Sequence, residues 1–331
     1  MIPKVSILIP VYNVSAYIEK CAYSLFNQTF ADIEYIFVDD ATPDDSMEKL
    51  SKVIEEYPQR KNQIKIIHHS SNKGSAAARN TAIDASTGEF IAMIDSDDFI
   101  DSEMIETLYQ KALDENADIV VSDIILEFVD RSVVITEYIS KNINDHFPDM
   151  VRNDRLHAFS CDKLVSRSLY TRADCRVPDG LNYLEDRHIM TRIFYFAKKI
   201  VKIDQAFYHY IQYNDNAITK TKNRMHFENV LLFWSLLDSF LKEKNEFEKY
   251  KQITELSKVE NKVRLMIDTH SSILRKEFAN MFYEEESNCL SKFRKGEKLM
   301  LLLVRYKFFG LAQLFHNMLL IKHKKQLLKS V

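Results

Sequence analysis

Four acids crowd one short stretch of the chain, "FIAMIDSDDFID" (90–101): Asp95, Asp97, Asp98 and Asp101. Carboxylates this close repel one another unless something positive sits among them. A hard divalent cation is one answer. Mg²⁺ and Mn²⁺ prefer oxygen ligands, and Mg²⁺ commonly takes one or two carboxylates and completes its shell with a substrate's phosphates. On that reading the cation arrives with a diphosphate. The other reading makes Asp97, Asp98 and Asp101 caps for the next helix, whose N-terminus favours acids by a few tenths to about 1 kcal/mol. The two are compatible if Asp101 caps and Asp97 coordinates. A second pair, Glu185 and Asp186, follows in "GLNYLEDRHIM" (180–190). By themselves these two read as solvated acids on a surface helix.

The elements that must position these groups follow from apolar periodicity. "VSILIPVY" (5–12), "IEYIFVDD" (33–40), "IKIIH" (64–68), "EFIAMID" (89–95) and "ADIVVSD" (117–123) are the short apolar runs of buried strands. Helical spacing begins at about Ser15 and again near 102–115. "TPDDS" predicts a helix start with Thr42 as N-cap and Pro43 at the first helical position. "NKGSAAARNTAIDASTG" predicts a helix closed by Gly88. Strands alternating with helices imply parallel βαβ units in a twisted sheet covered on both faces. Ligands bind such sheets beyond the carboxyl ends of the strands, where Asp39, Asp40 and Asp95 fall. Soft boundaries are expected near 125 and 220. They separate an α/β half (1–125), a less regular segment rich in Tyr, His, Asn and Asp (126–220), and a helical extension (221–331).

Composition removes several classes. A net charge of −3 gives no global sign of a nucleic-acid partner. "KVSILIP" reads as a strand and not as a signal peptide, and no run approaches the ~18 apolar residues of a membrane span. The five glycines form neither GxGxxG nor GxxxxGK[ST], so the usual dinucleotide and P-loop signatures are missing. Cys21, Cys161, Cys175 and Cys289 show no CxxC spacing, which favours free thiols in a reducing cytoplasm.

"VSILIPVYN", "VDDATPDDS", "NKGSAAARN", "DSDD" and "LED" (184–186) stand in an order and spacing that resemble inverting glycosyltransferases of family 2, over about residues 3 to 220. The resemblance implies a GT-A fold: a mixed, mostly parallel α/β sheet flanked by helices, here with a helical C-terminal extension. It implies transfer of a sugar from a UDP-sugar to a saccharide hydroxyl with Mn²⁺ or Mg²⁺, in cell-surface polysaccharide or lipopolysaccharide assembly. Val11, Tyr12 and Asn13 would line the nucleotide pocket, where a flat ring can stack on a base; core packing competes for Tyr12. Asp40 is assigned to the base, because a carboxylate accepts from uracil N3–H, and Asp39 to supporting that loop. Arg79 could reach a base or phosphate by a charge-assisted bond, or pair with one of the clustered acids. The resemblance gives Asp95 to the donor's ribose or metal shell, Asp97 to direct metal contact and Asp98 to a supporting position.

In the same family the second acid of "LED" is the base that deprotonates the acceptor, which implies Asp186 here, with Glu185 positioning it. His209 would complete the metal shell as a histidine does in some relatives, although Ile211 stands where many carry Arg; a hydrogen-bonded structural histidine is the alternative. Cys161 and Asp162 before Lys163 depart from the family's usual residues, which leaves the acceptor side unread, and His68–His69 read as structural.

Residues 292–329 hold ten Lys and Arg against Glu297 alone, around the apolar "LMLLLVRYKFFGLAQLFHNMLLI". A basic amphipathic helix can rest on an anionic membrane at about 1 kcal/mol per cation near the surface. That would suit a lipid-linked acceptor at the inner face of the plasma membrane; a helical appendage packed on the protein is the alternative. Two rival functions remain. A nucleotidyltransferase making activated sugars normally carries a Gly-rich loop after its first strand, and "PVYNVSAY" has no glycine. A silent nucleotide-sugar-binding scaffold would hold UDP yet release none from a UDP-sugar.

Overall fold

The computed structural model describes residues 3–152, 158–214, 223–269, 271–293, 295–306, 308, 310–312 and 314–315. The first apolar run forms β1 (Val5–Val11), buried along its length except at Pro10. It pairs in parallel with β2 (Ile33–Asp39), β2 pairs with β3 (Ile64–His68), and the other edge of β1 takes β4 (Phe90–Met93). The connections are α1 (Ile18–Phe26), α2 (Ser46–Glu56) and α3 (Ser75–Ala85). Helix α1 buries Ile18, Cys21, Ala22, Leu25 and Phe26 in the main core. Helix α3 turns Ala76, Ala78 and Ala82 inward, and side chains this small let it lie close to β1 and β2.

The chain continues through β5 (Phe99–Ile100), α4 (Met104–Glu115), β6 (Ile119–Glu127), β7 (Ser132–Ile135), α5 (Ile143–Arg152), β8 (Lys163–Ser166), α6 (Arg167–Arg172), α7 (Glu185–Phe196) and β9 (Ile200–Ile211). Among the described residues these strands make one sheet of order β3-β2-β1-β4-β8-β6-β9-β5, with β7 paired to β6. The sheet is mixed, as expected, but less parallel than expected. The parallel run ends where β8 enters antiparallel between β4 and β6, and β5–β9 and β6–β7 are antiparallel as well. Parallel pairing resumes between β6 and β9.

Two local expectations are corrected. Thr42 does not cap α2, which starts at Ser46. Its hydroxyl accepts from Asn13 N (2.8 Å) and donates to Asp44 Oδ1 (2.7 Å), and Asp44 takes over the helix start by accepting from Ser46 N (3.2 Å). Gly88 does not close α3, whose last turn ends in extended backbone at Ser86. It is where the chain passes β1: a Cβ there would lie 2.7 Å from Ser6 N.

The chain divides into two compact units, Met1–Asn216 and Ala217–Val331. The division expected at 125 falls inside β6, so the residues before and after it share one sheet. The boundary expected near 220 falls among residues 215–222, outside those described. The second unit is helical, as expected: α8 (Arg224–Glu243), α9 (Phe247–Asp268), α10 (Ser272–Ala279), α11 (Tyr283–Cys289) and α12 (Lys295–Arg305). Asn223 and His226 cap α8 reciprocally. Inside this unit Lys262 is buried, and its ammonium donates to Ala279 O (2.7 Å), Met281 O (2.9 Å) and Glu286 Oε2 (2.5 Å). No helix among the described residues is long and apolar enough to cross a membrane. Much of the basic segment 292–329, including Arg294, Lys307, Lys322, Lys324, Lys325 and Lys329, lies outside the described residues.

Candidate active site

The carboxyl ends of β1, β2 and β4 present the residues singled out by the sequence. At the end of β1, Val11 is buried while Tyr12 is 44% exposed, so Tyr12 is surface and not core. The chain then turns through Asn13 at φ 54°. At the end of β2 the two acids hold loops. Asp39 accepts from Thr42 N (2.9 Å) and shares a hydrogen bond with His68 Nδ1 (2.8 Å). Asp40 is buried, and Oδ1 meets His69 Nδ1 (2.6 Å) and Lys73 N (2.9 Å) while Oδ2 accepts from Gly74 N (2.8 Å). A carboxylate offers roughly four acceptor positions. The base contact expected of Asp40 is therefore confined to what Oδ2 has left, and its evident work is fixing the loop before α3.

That loop matters because it delivers Arg79. Gly74 has φ +90°, and a Cβ on it would lie 2.3 Å from Asn182 Oδ1, which also accepts from Ala76 N (3.2 Å). The start of α3 is thus locked to the loop before α7. Leu184, in the left-handed region at φ 71°, turns the chain into α7, so Glu185 and Asp186 fall in its first turn. One turn into α3, Arg79 points into the gap between the two acid groups. Its guanidinium meets Asp95 Oδ1 at 2.8 Å, Asp186 Oδ1 at 3.3 Å and Glu185 Oε1 at 3.7 Å. Arg79 is thus ion-paired with three acids at once, the second of the arrangements considered for it.

One cation does not neutralise three carboxylates. Burial pushes the Asp95 carboxyl up to about 6 against the pull of Arg79, with the charges of Asp186 and Asp97 adding to the rise. Glu185 is pushed up to about 7, by burial first and then by Asp186, again against Arg79; Ser75 Oγ donates to its Oε1 (3.1 Å). Burial works against the charge on Arg79, but Asp186, Asp95 and Glu185 outweigh it and hold the guanidinium charged. Asp186 is partly exposed at 23% of its side chain, and its Oδ1 also accepts from Ser160 Oγ (2.9 Å).

The "DSDD" loop is fixed from the other side. Asp98 is buried, accepting from Tyr208 Oη (2.5 Å) and Ile211 N (2.8 Å), while Asp95 N donates to the same Tyr208 oxygen (3.3 Å). Burial, with Asp97 and Asp95 nearby, raises the Asp98 carboxyl well above its ordinary range. Asp98 therefore binds the loop to β9. Asp97 stays half-buried at the loop's apex, with Asn214 Nδ2 donating to its Oδ2 (2.8 Å). His209 stacks on Phe99 (centroids 4.1 Å) and lies between Glu127 Oε1 (2.7 Å) and Asp101 Oδ1 (3.1 Å). Both ring nitrogens thus face carboxylates, the arrangement of the structural alternative; Asp101 is its partner and does not cap α4, whose N-cap is Glu103 with no side-chain hydrogen bond. Among the described residues no three His, Cys, Asp or Glu side chains converge as a ready-made metal site. Lys163 is buried, with its ammonium 2.6 Å from Asp162 Oδ1.

Sequence reasoning missed Ser75, Ser160, Asn182, Tyr208 and Asn214. Each is a single polar side chain whose partner lies far along the chain; only Ser75, inside "NKGSAAARN", and Asn182, two residues before "LED", had a local marker.

A mixed α/β sheet with acids gathered at the end of β4 and the start of α7 fits the GT-A fold, and sequence comparison agrees. The model of "Glycosyl transferase family 2" matches residues 6–171, and the chain belongs to that family: it is a glycosyltransferase. EpsH of Bacillus subtilis (strain 168), a protein named as a glycosyltransferase, is 33% identical over 256 residues, covering 76% of this chain and 72% of that one. The poly(ribitol-phosphate) beta-glucosyltransferase of Bacillus spizizenii is 30% identical over 213 residues, 63% of this chain but 32% of that protein. The crystal structure of S. aureus TarS 1–349 shares the fold, with a TM-score of 0.67 at 18% identity over 95% of this chain and 90% of that one. The same protein in complex with UDP-GlcNAc gives a TM-score of 0.60 at 17% identity over the same shares.

Proposed function

We propose that the crevice at the ends of β1, β2 and β4 binds a UDP-sugar, and that Asp186 is the base of an inverting transfer to a saccharide hydroxyl. The observation that carries this reading is the Arg79 bridge, which ties Asp95 on the donor-side loop to Glu185 and Asp186 at the start of α7. Asp186 takes the hydroxyl proton through a carboxylate oxygen as the acceptor attacks the anomeric carbon. UDP leaves from the opposite face, so an α-linked donor gives a β-linkage and no covalent intermediate forms. General-base catalysis contributes about 10²–10⁴-fold.

Exposed Tyr12 offers a ring for the base, with Val11 and Asn13 beside it and Asp40 setting the pocket's floor. The oxygen donors present suit a hard divalent cation such as Mn²⁺ or Mg²⁺. Asp97 would hold it with the diphosphate; burial first, and then neighbouring acids, raise Asp95 and Asp98, and such an ion would offset the second of these. When bound, the ion neutralises charge on the departing diphosphate. UDP is favoured over other nucleotides because TarS was solved with UDP-GlcNAc, and polymer assembly because a relative is named for glucosylating poly(ribitol phosphate).

The basic segment 292–329 supports peripheral binding to an anionic membrane on the cytoplasmic side. Lys292 and Lys295 are exposed, and so are Leu299, Tyr306, Phe308, Leu311 and Leu314 nearby. Flotation with phosphatidylglycerol vesicles should carry the full chain, and salt should release it; flotation at undiminished strength in 1 M salt contradicts the electrostatic part.

Calorimetric titration of UDP, GDP, CDP and ADP, each with Mn²⁺ and with EDTA, tests the donor reading. UDP alone should bind tightly, and EDTA should abolish its binding. Preference for another nucleotide overturns the uridine assignment, and binding unaffected by EDTA overturns the metal.

A further inference from the structure

Among the described residues the carboxylate of the proposed base is held at Oδ1 alone. Asp186 Oδ1 receives the Ser160 hydroxyl at 2.9 Å and lies 3.3 Å from the Arg79 guanidinium. Ser160 in turn accepts from Arg79 Nη1 at 3.4 Å, so serine, arginine and aspartate close a small ring around Oδ1. Ser160 is 2% exposed, which fixes its rotamer by packing. A hydroxyl has one proton to give, and here it goes to Oδ1. An oxygen carrying both a hydroxyl donor and a guanidinium is the poorer base of the two. Resting on the reading of Asp186 as base, we propose that Ser160 is a positioning residue that engages Oδ1 and thereby makes Oδ2 the oxygen that takes the acceptor's proton. Ser160 touches neither substrate nor reacting atoms; it acts through Asp186.

Ser160 and Arg79 both engage Oδ1, and among the described residues neither engages Oδ2. Loss of the hydroxyl should therefore slow turnover without disturbing the donor side, where Arg79 meets Asp95.

The test uses the full-length protein and the UDP-sugar from which the wild type releases UDP fastest. Ser160→Ala should lower kcat about tenfold, the loss expected for a charge-assisted hydrogen bond at a reacting group, and leave KM for the UDP-sugar within about twofold. Ser160→Thr, which keeps the hydroxyl, should restore most of the rate. An unchanged kcat in Ser160→Ala, or a Ser160→Thr as slow as Ser160→Ala, overturns the inference. So does a rate loss accompanied by an equal rise in KM, which marks a general structural role. Asp186→Asn separates this inference from the reading it rests on. If Asp186→Asn keeps the wild-type rate, the base assignment itself fails; if it is inactive while Ser160→Ala is normal, only the positioning role fails.

Discussion

Two buried cations in this chain keep very different company. Lys262, in the helical unit, faces one carboxylate and two backbone carbonyls, with Arg305 a further 3.8 Å from Glu286. Its charge is matched. Arg79, in the sheet unit, faces three carboxylates within 4 Å, and two of them are pushed up to about 6 and about 7. That excess of acid gains the fold nothing; a stable core would rather have paired or apolar groups. A matched buried charge reads as architecture, and an unmatched cluster beside the carboxyl end of β4 reads as a site awaiting a cationic or proton-bearing partner.

The contrast can be broken at either end. Arg79→Met should have the largest effect, costing about 3–5 kcal/mol of stability by stranding buried carboxylates and abolishing UDP release. The stability loss should shrink as pH falls from 8 to 5 and the acids become neutral; a loss independent of pH would contradict the cluster. Lys262→Met should cost up to about 3 kcal/mol, because only Glu286 is stranded. Its kcat for UDP release below the melting transition should match the wild type, and a comparable fall in kcat would erase the distinction between the two cations. Gly74→Ala should cost about 1–3 kcal/mol through its left-handed backbone and the Asn182 contact, with a rise in KM that thermal melts and kinetics read together. A neutral outcome there would show that the lock between α3 and α7 is loose.

The smallest effect is in the pH dependence. Asp95 and Glu185 are raised in the folded chain, so the stability they allow is fully present below the unfolded carboxylate range near pH 4. It is lost as pH rises through about 6 and 7. Glu185→Gln should flatten the decline in Tm between pH 5 and 8; an unchanged slope would place the excess charge elsewhere.

Most of the sheet was legible because buried strands are written as unbroken apolar runs: β1, β2 and β4 appear within a few residues of where "VSILIPVY", "IEYIFVDD" and "EFIAMID" put them. Strand β8 was not, since "KLVS" is short and its antiparallel place between β4 and β6 depends on tertiary pairing. At the site the acids were visible by type and spacing. Their employment was less so. Asp40 lies at the strand end foreseen for it, but as a loop clamp, and His209 is claimed by Glu127 and Asp101. The ion pairs of Arg79 depend on Asn182 and Gly74, which bring α3 and α7 together across more than a hundred residues. No local pattern encodes that approach.

The most direct measurement compares Asp186→Asn with the wild type in two assays, UDP affinity with Mn²⁺ and UDP release from a UDP-sugar. The account predicts unchanged affinity and release slowed at least about 10²-fold. Release within a few-fold of the wild type, or affinity lost in step with it, would contradict Asp186 as the base.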